Sequence, residues 1–309
     1  MSEDADVTDR RVRLAAFQFL EEQTKIHGDV LPLAVLKQGF LLDGRQVRLI
    51  GPQGIFKPQI IPTGVALTVT TAPEVAGRDR PYEDEIGEDG LLRYRYRGTN
   101  PGHHENVGLR RAMNDRIPLI YFHGVSPGWY VAQWPVFIVG DDPAALTFTV
   151  AVDDPMALRP DLEPGPVDDA RRMYMTRMAR QRLHQAAFRH RVLLAYRTHC
   201  TVCSLRHSEL LDAAHILPDT HPLGEPVTSN GLALCKLHHT AFDVGIIGIR
   251  PDLIVEVRRD VLDEIDGPML RHGLQGFEGG RLLVLPNRPA DKPNPDFLAE
   301  RYEAFRRTG

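Results

Sequence analysis

Cysteine is scarce in this chain. Its 309 residues hold three, Cys200, Cys203 and Cys235, all in one short stretch. An odd count in one cluster argues against a disulfide framework and for a metal site. No apolar run is long enough to span a bilayer. The N-terminal MSEDADVTDRRVR is acidic and polar and lacks an apolar signal core, so nothing in it argues for secretion and a cytoplasmic location is expected. An excess of positive charge is missing too. The formal net charge is −4, so any attraction to nucleic acid must come from local basic surface. Internal repeats and low-complexity tracts are also absent.

What is present is an ordinary globular balance, 42% hydrophobic and 25% charged, in a chain long enough for two domains. Val7 to Ile26 places Leu14, Phe17 and Leu20 at helical spacing, which predicts one amphipathic helix. From about Leu31 to Asp142 the texture changes to short apolar runs, VALTVTTA, PLIYFHGV and PVFIVG, broken by Gly, Pro and Asp. The Asp-Gly pair in LLDGRQVRL is a hairpin signal. This half reads as a mostly β module, either a barrel or a strongly bent sheet. A proline-rich acidic stretch, residues 153–168, reads as a linker. The helical stretch that follows carries Arg171, Arg172, Arg177, Arg180, Arg182, Arg189 and Arg191. It is either a solvated helix face or a phosphate-contacting or dimerising helix.

The strongest motif is CTVC at Cys200–Cys203 followed by CKLHH at Cys235–His239, with 31 residues between Cys203 and Cys235. Cys200, Cys203, Cys235 and His238 make a ligand set for tetrahedral zinc, each pair held by a tight turn. His238 and His239 could exchange roles, and the four ligands alone would equally suit a purely structural zinc ribbon. Between and beside them the stretch reads LLDAAHILPDTHPLGEPVTSNGLALCKLHHTAFDVG, and here the chain resembles the HNH nuclease family over roughly 197–248. That family has a ββα-metal fold with a histidine on a first strand, an asparagine in the connection and a histidine on the helix. The matching residues are His215, Asn230 and His239.

The resemblance implies hydrolysis of a phosphodiester, with His215 as general base, since imidazole has a suitable pKa. Asn230 would orient that imidazole. A divalent cation, Mg2+, Mn2+ or a late first-row metal, would be held by His239. Asp243, four residues on, falls on the same helix face and is a second candidate ligand. Many HNH sites carry an acid or histidine directly before the base. Here that position is Ala214, and Asp212 is the candidate substitute.

The first half contains PYEDEIGEDGLLRYRYRGTNPGHHENVGLRRAMNDRIPLIYFHGV, which is similar to the SRA (SET- and RING-associated) family of modified-cytosine readers. The likeness rests on Tyr82-Glu83-Asp84-Glu85, on Tyr96-Arg97-Gly98, on an Asn plus Leu-Arg-x-Ala helix and on a Pro-led strand. It implies an SRA/PUA-like β-barrel that flips a base into a pocket. Tyr82 and Tyr96 would stack on the base, Asp84 or Glu85 would accept from the cytosine N4 amine, and Arg97 would lie near the 5-substituent. The expected architecture is therefore α+β: a modified-base-reading domain over 1–155, a linker with an Arg-rich helix over 156–196, and an HNH domain with structural zinc and an extension over 197–309. The expected partner is double-stranded DNA carrying 5-methylcytosine or 5-hydroxymethylcytosine, cut by a homodimer, with no membrane involved. Two other readings fit the residues: an HNH nuclease whose first domain reads another DNA feature, and a non-catalytic zinc-containing DNA-binding protein.

Overall fold

The structure is a computed structural model and describes residues 3–73, 91–153 and 169–307. It divides into two compact units, 1–186 and 187–309. Among the described residues, no helix is long and apolar enough to cross a membrane.

The first unit opens with α1 (Glu3–His27). Val12, Ala16 and Leu20 recur every four residues and are fully buried, which lays one face of α1 against the sheet core of Leu67, Ile120 and Phe122. Asp9 and Arg13, one turn apart, are buried with it at 2.5 Å. Arg13 also donates to the carbonyls of Ala66 and Pro118 at 2.9 Å, and the Thr63 hydroxyl donates to Asp9. These bonds latch α1 to the loops beneath it, while Asp9 Oδ1 and Arg13 Nε face each other as an ion pair without a hydrogen bond.

Then follow β1 (Val30–Pro32), α2 (Leu33–Gln38), β2 (Phe40–Leu42) and β3 (Arg45–Val47). The expected Asp-Gly hairpin joins β2 to β3, with Asp43 and Gly44 both at positive φ and Leu42 opposite Arg45. Next come β4 (Ile55–Phe56), β5 (Thr68–Thr71), β6 (Leu92–Arg95), α3 (His104–Asn114), β7 (Leu119–Ser126), β8 (Trp129–Asp142) and β9 (Thr147–Val152). The sheet runs β4-β5-β7-β8-β9-β6, with β1 on β8; β5 and β7 are parallel and the other pairs antiparallel. Among the described strands none joins β6 to β4, so the described sheet is a half-barrel, a strongly bent sheet, and the SRA/PUA-like barrel is not shown.

The Arg-rich stretch is α4 (Asp169–Ala195). It is not a separate middle segment. Its first part belongs to the first unit, where the Thr176 hydroxyl accepts from the Val152 amide at 2.9 Å and Arg172 pairs with Asp153 at 3.2 Å. Its last part enters the second core, where Phe188, Val192 and Tyr196 are buried.

The second unit contains β10 (Leu211–His215), β11 (Gly231–Cys235) and α5 (Lys236–Asp243), a ββα module whose hairpin pairs His215 with Gly231. Then come β12 (Ile247–Ile249), β13 (Val255–Val257), α6 (Arg259–Asp263), α7 (Pro268–Gly273) and α8 (Pro295–Arg306). α8 packs on β12 so closely that a Cβ on Gly248 would lie 2.4 Å from the Phe305 ring. Gly231 has a similar reason. A Cβ there would meet Val192 at 2.4 Å and Phe188 at 3.0 Å, so the end of α4 can reach β11 only over a bare backbone.

Candidate active site and metal centre

The turn at Cys200–Ser204 folds back on itself, with the Ser204 amide bonded to the Cys200 carbonyl at 2.9 Å and Ser204 at positive φ. This aims Cys200 and Cys203 inward. Cys235 ends β11 as the residue before α5, and His238 lies in the first turn of that helix. The ligand atoms of Cys200, Cys203, Cys235 and His238 all lie within 4.8 Å of one another, the one such group among the described residues. His238 Nδ1 is 3.1 Å from Cys235 Sγ and 3.5 Å from Cys200 Sγ, and the Cys203 and Cys235 sulfurs are 3.9 Å apart. Tetrahedral zinc, with Zn–S about 2.3 Å and Zn–N about 2.0 Å, spaces its ligands by roughly 3.5–3.8 Å. The four residues fit that ion.

His238, not His239, belongs to this set. Its Nε2 lies 2.9 Å from the Gly273 carbonyl, which only an N–H can satisfy, so Nδ1 is the nitrogen left to bind metal. Burial opposes a proton on His238, yet the Cys200 and Cys235 sulfurs hold its pKa at about 9. Hydrogen bonding to Cys200 pulls the Cys235 thiol down and pushes Cys203 up, so the cluster shares protons where a cation would replace them. Phe277 sets its ring edge-on to His238 at 5.1 Å. The stretch 251–287 thus reaches the zinc cluster through Gly273 and Phe277.

His215 ends β10 and His239 sits on the outer side of α5. The His215 ring stacks on Phe188 at 3.9 Å between centroids and 14° between planes. Its Nε2 is 2.9 Å from Asp219 Oδ1 but out of line for a hydrogen bond, and has no other partner among the described residues. Burial pushes its pKa below the usual value, against the pull of Asp219 and Asp243. His215 is therefore biased towards the free base. The neighbouring Asp212 carboxylate shifts His239 the other way, upward, although burial opposes it.

His239 stands between two carboxylates. Asp243 lies 3.2 Å from Nε2, as the i, i+4 spacing anticipates, and Asp212 lies 3.7 Å from Nδ1. Asp212 is itself engaged: Lys236 donates to it at 2.7 Å and Arg189 approaches to 3.4 Å. Against the cost of burial, His239 and Lys236 hold its pKa well below the usual carboxylate range. Ala214 is fully buried in the apolar core, so the position directly before the histidine faces away from the site.

Asn230 behaves differently from the expectation. It is fully buried, but its amide goes to main chain: it accepts from Leu217 N at 2.9 Å and donates to Leu217 O at 3.0 Å and Glu225 O at 3.1 Å. It makes no bond to the His215 ring and instead staples the loop that carries Asp219. Three further residues escaped the sequence reading. Phe188 is an aromatic within an Arg-rich run, and Asp219 is four residues after His215, so both had faint signals. Arg301 of α8 had none: it lies over Phe242 at 4.8 Å and donates to the carbonyls of Phe242 and Asp243 at 3.1 and 3.3 Å. Its neighbour Glu300 pairs with His221 of the loop at 2.9 Å.

In the first unit, Tyr82, Asp84 and Glu85 lie outside the described residues. Tyr96 is 2% exposed, stacked on Phe148 at 4.5 Å, with its hydroxyl bonded to Asp141 and to Arg110. In this form its ring has no open face for a base. Arg97 lies 3.7 Å from Glu105, and its backbone N–H and C=O are both held by the buried Asn106 side chain.

Comparison with known proteins agrees with the second unit. Residues 200–250 match a family model described as HNH endonuclease, so the chain carries an HNH endonuclease domain. Among solved structures, the chain is similar to "Modification dependent TagI restriction endonuclease", 19% identical over 77% of this chain and 80% of that one, with a TM-score of 0.29. It is also similar to "Structure of the Type IV phosphorothioation-dependent restriction endonuclease ScoMcrA", 14% identical over 58% of this chain and 54% of that one, with a TM-score of 0.21. No curated protein matches. Both TM-scores are low, and the assignment of the site rests on its own residues.

Proposed function

We propose that this protein is a modification-dependent DNA endonuclease, with a phosphodiester-hydrolysing site at His215 and His239 and a modified-cytosine reader in its first unit. The observation that carries the catalytic half is the pair of histidines brought to one Asp243 from β10 and α5, with their pKa values driven apart. Two imidazoles so tuned suit opposite tasks.

His215 acts as the general base. Its unbonded Nε2 takes a proton from water, which attacks phosphorus as the bond to the 3′-oxygen breaks. Phe188 holds the ring in plane for that transfer. Asn230 is a positioning residue acting through the loop. His239 Nε2 and Asp243 would hold a divalent cation, Mg2+ or Mn2+, their nitrogen and oxygen donors being suited to such an ion. When bound, that ion supplies positive charge against the crowded phosphate oxygens. Asp212, already paired with Lys236, orients His239 from the Nδ1 side and is not itself a ligand.

In the first unit, Tyr82 keeps the stacking role, with Asp84 or Glu85 accepting from the N4 amine and Arg97 beside the 5-substituent. Tyr96 supports that region from the core. One HNH site cuts one strand, so a double-strand break requires two copies of the chain. The test is one plasmid prepared unmodified, with 5-methylcytosine, with 5-hydroxymethylcytosine and with phosphorothioate linkages, incubated with the protein and Mn2+ or Mg2+. Cutting confined to the cytosine-modified plasmids is expected. Equal cutting of all four leaves a nuclease without that reader, and cutting of none under either metal refutes the catalytic reading.

A further inference from the structure

Between Ala170 and Ser208 the sequence holds nine arginines and no aspartate or glutamate. The whole chain carries −4, so the remaining residues carry −13. Charge in this protein is thus segregated, and α4 is where the positive part is concentrated. The helix buries Thr176, Ala179, Leu183 and Ala187, a face with helical spacing. Arg172, on the same side, is tied to Asp153 and lies over Phe137 at 5.8 Å. Arg177 and Arg182, five residues apart, leave the helix on opposite flanks of that face, with Arg180 on the Arg177 side. They are exposed and have no hydrogen-bond or ion-pair partner among the described residues. Arginines elsewhere commonly carry a carboxylate: Arg11 with Asp43, Arg110 with Asp141, Arg250 with Asp252 and Arg258 with Asp260.

We infer that Arg177 and Arg180 on one flank of α4, and Arg182 on the other, contact the phosphate backbone of duplex DNA. The inference rests on reading the substrate as duplex DNA, and it names how that duplex is gripped. Charge complementarity selects this occupant. A second copy of the chain on the same helix would set arginine against arginine, whereas a duplex offers one negative charge about every 1.7 Å along its axis. Guanidinium groups suit phosphate oxygens in two-point contacts. Such contacts position the protein without reading sequence.

The test is fluorescence anisotropy with an unmodified 30-base-pair duplex, from 50 to 300 mM NaCl, without added divalent cation. The full chain is compared with its R177A/R180A/R182A variant, with the matching triple-lysine variant, and with R11A/R259A as a control for exposed, paired arginines. The alanine triple is expected to bind at least about tenfold more weakly at 100 mM salt. Its log K against log salt plot should be shallower by roughly 2–3 units, about one per lost phosphate contact. The lysine triple and the control should keep the parent's slope. An alanine triple with the parent's slope overturns the assignment of α4 and leaves the nuclease reading standing. A parent that does not bind duplex at any salt overturns both. An alanine triple that sediments as a smaller species with unchanged slope makes α4 a self-association surface and overturns the inference.

Discussion

At the scale of single residues, the site is governed by what each imidazole is denied. His215 lies against an aromatic ring and lacks a hydrogen bond at Nε2, so its charged form is disfavoured. A base must be unprotonated, so the cleavage rate should rise as pH passes through this lowered pKa and be flat above it. Asp219 and Asp243 pull the pKa up from that low value. Asp219→Asn removes one of those charges and should therefore move the acid limb of the pH–rate profile to lower pH. A limb displaced to higher pH would eliminate Asp219 from this role. His215→Ala should reduce the rate by about 10²–10⁴-fold, the usual worth of a positioned base, while leaving duplex binding intact. Retained cutting would remove His215 as the base. The sequence made these histidines legible because the motif is local. It did not make Phe188 legible as their partner, because one aromatic in a helix gives no sign of the strand it will face.

At the scale of elements, hairpins and helices were read where a short-range rule applied. The Asp-Gly turn fixed β2 to β3, and the Cys and His spacings closed the zinc turn. The spacing of Leu14, Phe17 and Leu20 marked α1, but Leu14 is exposed and the buried face is completed by Val12 and Ala16. The closure of the sheet was not readable, since strand order depends on pairings such as β5 with β7 that no local pattern encodes. Asn230 shows the same limit. Its position beside Gly231 matched the motif, but which groups its amide would bond depended on how the preceding loop folds back. Gly231 itself yields a prediction at this scale. Gly231→Ala places a methyl against Val192 and Phe188, and overpacking of this kind costs about 1–3 kcal/mol. Urea denaturation should register that loss, accompanied by a fall in cleavage as Phe188 is driven from His215. Unchanged stability would show that the junction of α4 and β11 has slack.

At the scale of the whole molecule, two cores are held by different means. The first rests on α1 and the sheet, with the Asp9–Arg13 pair inside it. The second is built around the Cys3His cluster, whose walls come from segments as far apart in sequence as Cys200 and Phe277. Structural zinc contributes on the order of 10–16 kcal/mol to small domains of this type. Chelation, or Cys200→Ser, should therefore erase the calorimetric transition of the second unit and spare that of the first. A single transition lost as one would mean the cores do not melt independently. The grip of Arg301 on α5 has a consequence in time. Arg301 follows Asp243 by 58 residues. A ribosome adding about 5–20 residues per second needs roughly 3–12 s to travel that distance. During that interval the histidines and the zinc turn have already been synthesised, while the carboxylate end of the helix still lacks its clamp. A nascent chain thus carries the parts of a nuclease for some seconds before it carries the assembled tool.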